Sequence, residues 1–279
     1  MQLTPEQVKG RIKNFARQNN ADARILMRIY MMERFLERVS ISEYKDNFII
    51  KGGILVTSMV GVSLRSTMDI DTSVINQELS KESARDIVSK IIDIAIEDGV
   101  IFEIKEVSDI MDEMEYPGIR LSINAVMGNM ITPIKIDIST GDIITPHAVE
   151  YEYKLMLEDR AISLWSYNLE TILAEKLQTV LARGVLNTRM RDFYDLNILY
   201  MTYESKMDIH ILKLAFSVTC KKRGTENLIR KGQSILFTIS KDENLKKLWK
   251  LYQNKYSYAN EMSYDSIMKN IDKLISKIL

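Results

Sequence analysis

Residues 51–74 read KGGILVTSMVGVSLRSTMDIDTSV. Two adjacent glycines precede a short apolar run, Ile54 to Val60, and the segment ends in Asp69-Ile70-Asp71, where carboxylates alternate with an aliphatic residue. Glycines in that place predict a turn into a helix, because backbone without a Cβ adopts left-handed angles and approaches its neighbours closely. The alternation predicts a strand. Side chains two apart on a strand point to one face, so Asp69 and Asp71 project together while Ile70 turns toward a core. Two carboxylates held that close both stay ionised only beside positive charge, and a hard divalent cation with oxygen ligands is the natural occupant. Magnesium suits a site that also receives substrate phosphates. Backbone amides at a helix start can take phosphate oxygens, which gives Gly52 and Gly53 a role beside the acids. Taken singly, the aspartates also read as a solvated strand edge and the glycines as an ordinary tight turn.

Working outward, GIRLSINAVM (118–127) and MITPIKIDIS (130–139) read as two strands joined at Gly128-Asn129 in a hairpin. The second carries Ile136-Asp137-Ile138, a lone acid between aliphatics that can converge on Asp69 and Asp71. VIFEIKEV (100–107) predicts another strand and SARDIVSKIIDIAIED (83–98) a helix. Residues 5–20 and 22–39 both show helical apolar spacing, the second through Ile25, Leu26, Ile29, Met32, Phe35, Leu36 and Val39. From Asn168 onward the pattern is helical throughout. NLETILAEKLQTVLAR opens on Asn168 as a cap and carries Ile172, Leu173, Leu177 and Val180 on one face. The predicted class is α+β: a mixed-sheet α/β domain with N-terminal helices over 1–165, and an all-helical domain over 166–279 packed closely against it.

Composition narrows the chemistry. The 279 residues are 46% hydrophobic, enough for one large or two ordinary cores. Lysine plus arginine number 38 and aspartate plus glutamate 38, so no global field attracts a polyanion and any nucleic acid must be held by a local patch. The single cysteine, Cys220, rules out an internal disulfide and a thiolate zinc site and reads as a small buried residue. With only His147 and His210, neither beside a partner a general base needs, histidine chemistry is disfavoured. No run approaches a membrane span, and the expectation is a cytoplasmic protein with no membrane partner.

The order of a glycine turn, a short helix, a DxD strand and a later lone aspartate resembles the DNA-polymerase-β-like nucleotidyltransferase superfamily. YMMERFLERVSISEYKDNFIIKGG, RSTMDID and NLETILAEKLQTVLARGVLNTRMRDFYDL resemble, more narrowly, the AbiEii/AbiGii toxin nucleotidyltransferases over most of residues 30–200. The resemblance implies metal binding by Asp69, Asp71 and Asp137, with Asp137 also activating the acceptor. It implies nucleotide binding by Gly52, Gly53, Thr67 and Lys176, and a catalytic place for Lys176 and for Asp192 of Arg191-Asp192-Phe193-Tyr194-Asp195-Leu196. Asp195 takes a part-structural role. The superfamily usually writes glycine-serine at the turn with a shorter gap to the acids, whereas this chain has glycine-glycine and a longer gap. Two magnesium ions, a nucleoside triphosphate, an RNA acceptor such as the 3′ end of tRNA, and an antitoxin encoded alongside are the implied cofactors and partners, in a toxin–antitoxin, abortive-infection and phage-defence setting.

Bland readings stand beside these. Lys176 also reads as a surface lysine, and Asp192 with Asp195 as one salt-bridged helix face shared with Arg189 and Arg191. Lys221-Lys222-Arg223, and Lys246-Lys247 with Trp249 and Lys250, offer basic clusters for an RNA backbone but read more simply as solvated helix ends. The 16 methionines read as fillers of gaps in the core. Two other functions remain open from the residues: a non-catalytic binding module that retains the fold, and a nucleotidyltransferase acting on a protein side chain or small molecule.

Overall fold

The apolar run after the glycines is too short for its periodicity to separate strand from helix, and the structure resolves it as a helix. In the computed structural model, which describes residues 3–75, 78–110 and 118–279, Phe48–Lys51 forms strand β1 and Gly52–Val60 forms helix α3. Ile54, Leu55 and Val56 are all fully buried, as expected of a short helix that is apolar all round.

Around this junction the described residues form one seven-stranded sheet, ordered β3-β4-β5-β2-β1-β7-β6. Its other strands are β2 (Asp69–Val74), β3 (Ile101–Ile110), β4 (Gly118–Met127), β5 (Met130–Thr140), β6 (Val149–Lys154) and β7 (Ala161–Ser166). Strand β2 runs antiparallel to β1 and parallel to β5, and β1 runs parallel to β7, so the sheet is mixed. Strands β4 and β5 form the expected hairpin, closing at Met127 opposite Met130 with Gly128 at φ 56°. Along β5, Ile134, Ile136 and Ile138 are buried while Lys135, Asp137 and Ser139 project to the other face. Helices α1 (Pro5–Gln18), α2 (Ala23–Ile41) and α4 (Lys81–Ile92) complete this unit, with α2 packed against β5 and β7, and α4 against β3 and β4. The hairpin β6–β7 has no counterpart in the sequence reading, although VEYEYK alternates with the period of a strand.

Helix α2 buries charge as well as apolar surface. Arg38 forks onto Asp98 at 2.7 and 3.1 Å and donates to the Val100 carbonyl at 2.9 Å. Glu33, 2% exposed, accepts the Met156 N–H with both carboxylate oxygens at 3.0 and 3.2 Å. Its pKa is pushed up to about 8, chiefly by burial.

The chain forms two compact units, Met1–Asp142 with Val149–Ser166, and Ile143–Ala148 with Tyr167–Leu279. The second is helical: α5 (Leu169–Arg183), α6 (Met190–Tyr203), α7 (Ile209–Lys222), α8 (Leu228–Lys241), α9 (Glu243–Lys255) and α10 (Tyr264–Ile278). Asn168 caps α5, its side-chain oxygen accepting the Thr171 N–H at 2.8 Å. Cys220 is buried, as its surroundings in the sequence suggested. Trp249 is also buried, at 2% exposure, and donates its indole N–H to the Met262 carbonyl at 2.8 Å. It therefore offers no open face for stacking on RNA. Among the described residues no helix is long and apolar enough to cross a membrane.

Because Glu33 holds its proton in the folded chain up to about pH 8 while the unfolded chain releases it near 4.5, stability contributed here falls as pH rises between those values. Glu33→Gln removes that titration. Thermal melts from pH 5 to pH 8 should show the variant gaining on wild type as pH rises; parallel profiles would show that Glu33 is ionised when folded.

Candidate active site

The register of three strand pairs builds the site. Lys51 on β1 lies opposite Asp71 on β2, Asp71 opposite Asp137 on β5, and Asp137 opposite Arg120 on β4. Residues opposite one another in a sheet share a face, so two acids flanked by two bases form a row across four strands. Asp69 stands on the same face, two residues before Asp71, while Ile70 is fully buried behind it.

The glycine turn rests on this row. Gly52 has φ 59°, and a Cβ there would lie 2.2 Å from Asp71 Oδ2. A Cβ on Gly53 would lie 2.5 Å from Thr67 Oγ1 and 2.9 Å from Arg65 Nη1. The Gly53 N–H donates to Asp71 Oδ2 at 3.0 Å, so the helix-start amide is aimed at the acid itself. Asp71 has its pKa raised, first by burial beneath the turn and then by the charges of Asp137 and Asp69; the Gly53 N–H and Lys51 oppose the shift. Asp69 makes no side-chain hydrogen bond or ion pair with a described residue, and its carboxylate is open to a ligand. Thr67 is 3% exposed, with its hydroxyl donating to the Asp69 carbonyl at 3.3 Å.

Asp137 is engaged differently. Arg120 forks onto it, Nε to Oδ1 at 2.8 Å and Nη2 to Oδ2 at 2.6 Å. Among the described residues no group of three histidine, cysteine or acidic side chains is placed to hold one metal ion. Asp69 and Asp71 supply the hard oxygen donors a divalent cation takes. Asp137 already gives both oxygens to Arg120, so a metal that it joined would share those oxygens with the fork or displace it.

In the helical unit, Lys176 Nζ lies 2.9 Å from Asp192 Oδ1 and 2.8 Å from Asp195 Oδ2, and Arg189 Nε lies 2.9 Å from Asp192 Oδ2. Asp195 is fully buried and Asp192 is 3% exposed. The structure thus brings Lys176, Asp192 and Asp195 together into one ion cluster. Arg191 turns instead to Tyr256, donating to its hydroxyl at 3.1 Å.

Four residues of the first unit went unread in the sequence. Arg65, 1% exposed, donates to the Gly53 carbonyl at 3.1 Å, Thr57 Oγ1 at 3.3 Å and the Ser66 carbonyl at 2.9 Å, pinning the turn from below. Lys51 donates to Asp142 Oδ2 at 2.6 Å and Ser139 Oγ at 2.7 Å. Burial raises the Asp142 carboxyl, but Lys51 and the Ser139 hydroxyl outweigh it and bring its pKa down to about 2. Arg120 is the fourth. The one signal for it was its place on the hairpin opposite Asp137, which needs the register as well as the sequence.

Gly52→Ala should lower the free energy of unfolding by at least about 1–2 kcal/mol from the left-handed backbone alone, with crowding against Asp71 added. In an Asp71→Gly background the same change should cost less, as measured by urea denaturation. Equal costs in the two backgrounds would show that the turn does not press on Asp71.

A family profile described as "Nucleotidyl transferase AbiEii toxin, Type IV TA system" matches residues 34–270. No curated protein matches the chain. Among solved structures, JHP933 from Helicobacter pylori aligns with TM-score 0.54 at 15% identity over 91% of each chain. A protein assigned as a nucleotidyltransferase, also from H. pylori, aligns with TM-score 0.56 at 16% identity over 91% of this chain and 94% of its own. At those identities the likeness speaks to the fold, and the α+β architecture is theirs as well. Since the family match spans most of the sequence, both units included, the chain belongs to the nucleotidyl transferase AbiEii toxin family of Type IV toxin–antitoxin systems and is a nucleotidyltransferase.

Proposed function

We propose that this toxin transfers a nucleoside monophosphate from a nucleoside triphosphate to an RNA hydroxyl, with the 3′ end of tRNA as acceptor, and that it requires magnesium. The observation that carries this reading is the register of Asp71 with Asp137, with Asp69 two residues away and the Gly52–Gly53 turn above. Clustered carboxylates, with the pKa of Asp71 raised first by burial and then by the charges of Asp137 and Asp69, fit a site that takes a divalent cation. Asp69 and Asp71 would hold it, with Asp137 as the third acid and two ions at full loading. When bound, magnesium supplies the positive charge that a triphosphate needs and acidifies the attacking hydroxyl.

The chain's own residues do the positioning. Gly53 orients Asp71 through its amide, Arg65 fixes the turn carbonyl, and Thr67 braces the entry to β2 from beneath Gly53. Lys51, anchored by Asp142 and Ser139, keeps a cation at the other end of the row. Lys176 is proposed as a phosphate-facing cation, with Asp192 and Asp195 holding its ammonium in place. Catalysis of this kind is mostly positioning and charge stabilisation. The RNA acceptor, the abortive-infection setting, action in the cytoplasm and restraint by a cognate antitoxin are proposed by analogy with the family and not from a residue pattern.

Purified protein incubated with magnesium, labelled nucleoside triphosphates and total cellular RNA should place label on the 3′ end of tRNA. Asp71→Asn should reduce incorporation by about 100-fold or more, the scale of losing a principal electrostatic group, while circular dichroism stays unchanged. Label on protein with none on RNA would overturn the acceptor; undiminished labelling by the folded variant would overturn the site.

A further inference from the structure

The row of charges is not symmetric in its commitments. Lys51 is tied to Asp142, an acid outside the row, whereas Arg120 is tied to Asp137, an acid inside it. The guanidinium therefore spends both arms of its fork on the two oxygens of the third carboxylate. It also feels the charges of Asp69 and Asp71. With Lys51 and Asp142 cancelling each other, three carboxylates and one guanidinium leave the cluster a net charge of −2 when all are ionised, which one divalent cation would balance.

Two roles for Arg120 make opposite statements about metal affinity. As a brace, the fork would orient Asp137 toward the metal, and its loss would weaken binding. As a competitor, it would occupy the oxygens that the metal needs, and its loss would strengthen binding. Magnitudes favour the second. The Arg120 side chain is 38% exposed and that of Asp137 17%, so solvent screens the pair in part, and even as a bidentate fork, the strong end of such pairs, it contributes on the order of 1 kcal/mol. A bond from a divalent cation to a carboxylate inside a charged cluster exceeds that. The backbone also needs no brace here, since Asp137 is already fixed by pairing with Asp71 on one side and Arg120 on the other.

We propose that Arg120 is a metal-displaced latch. It neutralises Asp137 until a divalent cation arrives, and the cation competes the guanidinium off that carboxylate. Arg120 is thus a positioning residue that sets the metal concentration at which the acid cluster assembles. This rests on the reading of Asp69 and Asp71 as the metal pair.

The test uses the full chain and manganese(II) alone, without nucleotide, with free ion followed by electron paramagnetic resonance. Arg120→Gln should tighten manganese binding by about fivefold, the equivalent of a screened pair of roughly 1 kcal/mol. Arg120→Lys, which keeps the charge but loses the fork, should fall between the glutamine variant and wild type; it also serves if the glutamine variant does not fold, and tighter binding by it alone then supports the latch. Binding by either variant equal to or weaker than that of wild type overturns the proposal. Asp71→Asn separates the two readings. Wild-type binding that is lost in Asp71→Asn yet indifferent to Arg120 refutes the latch and leaves the metal pair standing, whereas no binding by wild type refutes both.

Discussion

The absence of a side chain at Gly52 is the constraint on which the first unit depends. A Cβ there would stand 2.2 Å from Asp71 Oδ2, so the turn and the acid are fitted to each other. That approach lets β1 end, α3 begin and the Gly53 amide reach Asp71, all within residues 51–53. Arg65 then closes the underside by donating to the Gly53 carbonyl. A larger residue at 52 would push the helix start away from β2 and release the carboxylate from its donor. The glycine pair is therefore as much a part of the acid site as the aspartates.

The helical unit applies a different device to the RDFYDL stretch. Each polar or aromatic member has an internal partner: Arg191 meets Tyr256, Asp192 meets Lys176 and Arg189, Tyr194 packs with its ring centroid 4.9 Å from that of Tyr258, and Asp195 meets Lys176. Phe193 is fully buried and stands 6.3 Å from the ring of Tyr264. Burying Asp195 is tolerable only because an ammonium accompanies it, and removing either partner would strand a charge. Hence Lys176 and the two aspartates are locked as one group.

How much of this could be read beforehand follows from range. Local patterns were enough for β2, for the hairpin of β4 and β5 and for the Asn168 cap, since each is a periodicity or a turn signal over a few residues. The same-face placement of Asp69 and Asp71 follows from strand geometry alone. Register is not local. The pairings that set Arg120 opposite Asp137 and Lys51 opposite Asp71 arise from how distant strands slide against one another, and a slip by one residue would have sent those side chains to the other face. Burial is not local either: Trp249 reads as available beside Lys246, Lys247 and Lys250, yet α9 turns it inward to the Met262 carbonyl while the lysines remain at the surface.

Like charges placed directly opposite on neighbouring strands destabilise a sheet, and Asp71 opposite Asp137 is such a pair. The sheet could have avoided it with a serine or threonine at either position, as it does one register step away, where Thr72 lies opposite Ile138, and at the next, where Ser73 lies opposite Ser139. Instead it surrounds the pair with partial compensation, a guanidinium on one acid and a backbone amide on the other, and leaves Asp69 open. No packing benefit explains this choice, because the aliphatic core of β2 and β5 lies on the opposite face, with Ile70, Ile136 and Ile138. Where a fold retains a local electrostatic conflict that a neutral residue would remove, the conflict marks function. Here the unresolved charge is negative and sits on three carboxylates, the charge that the proposed magnesium would balance.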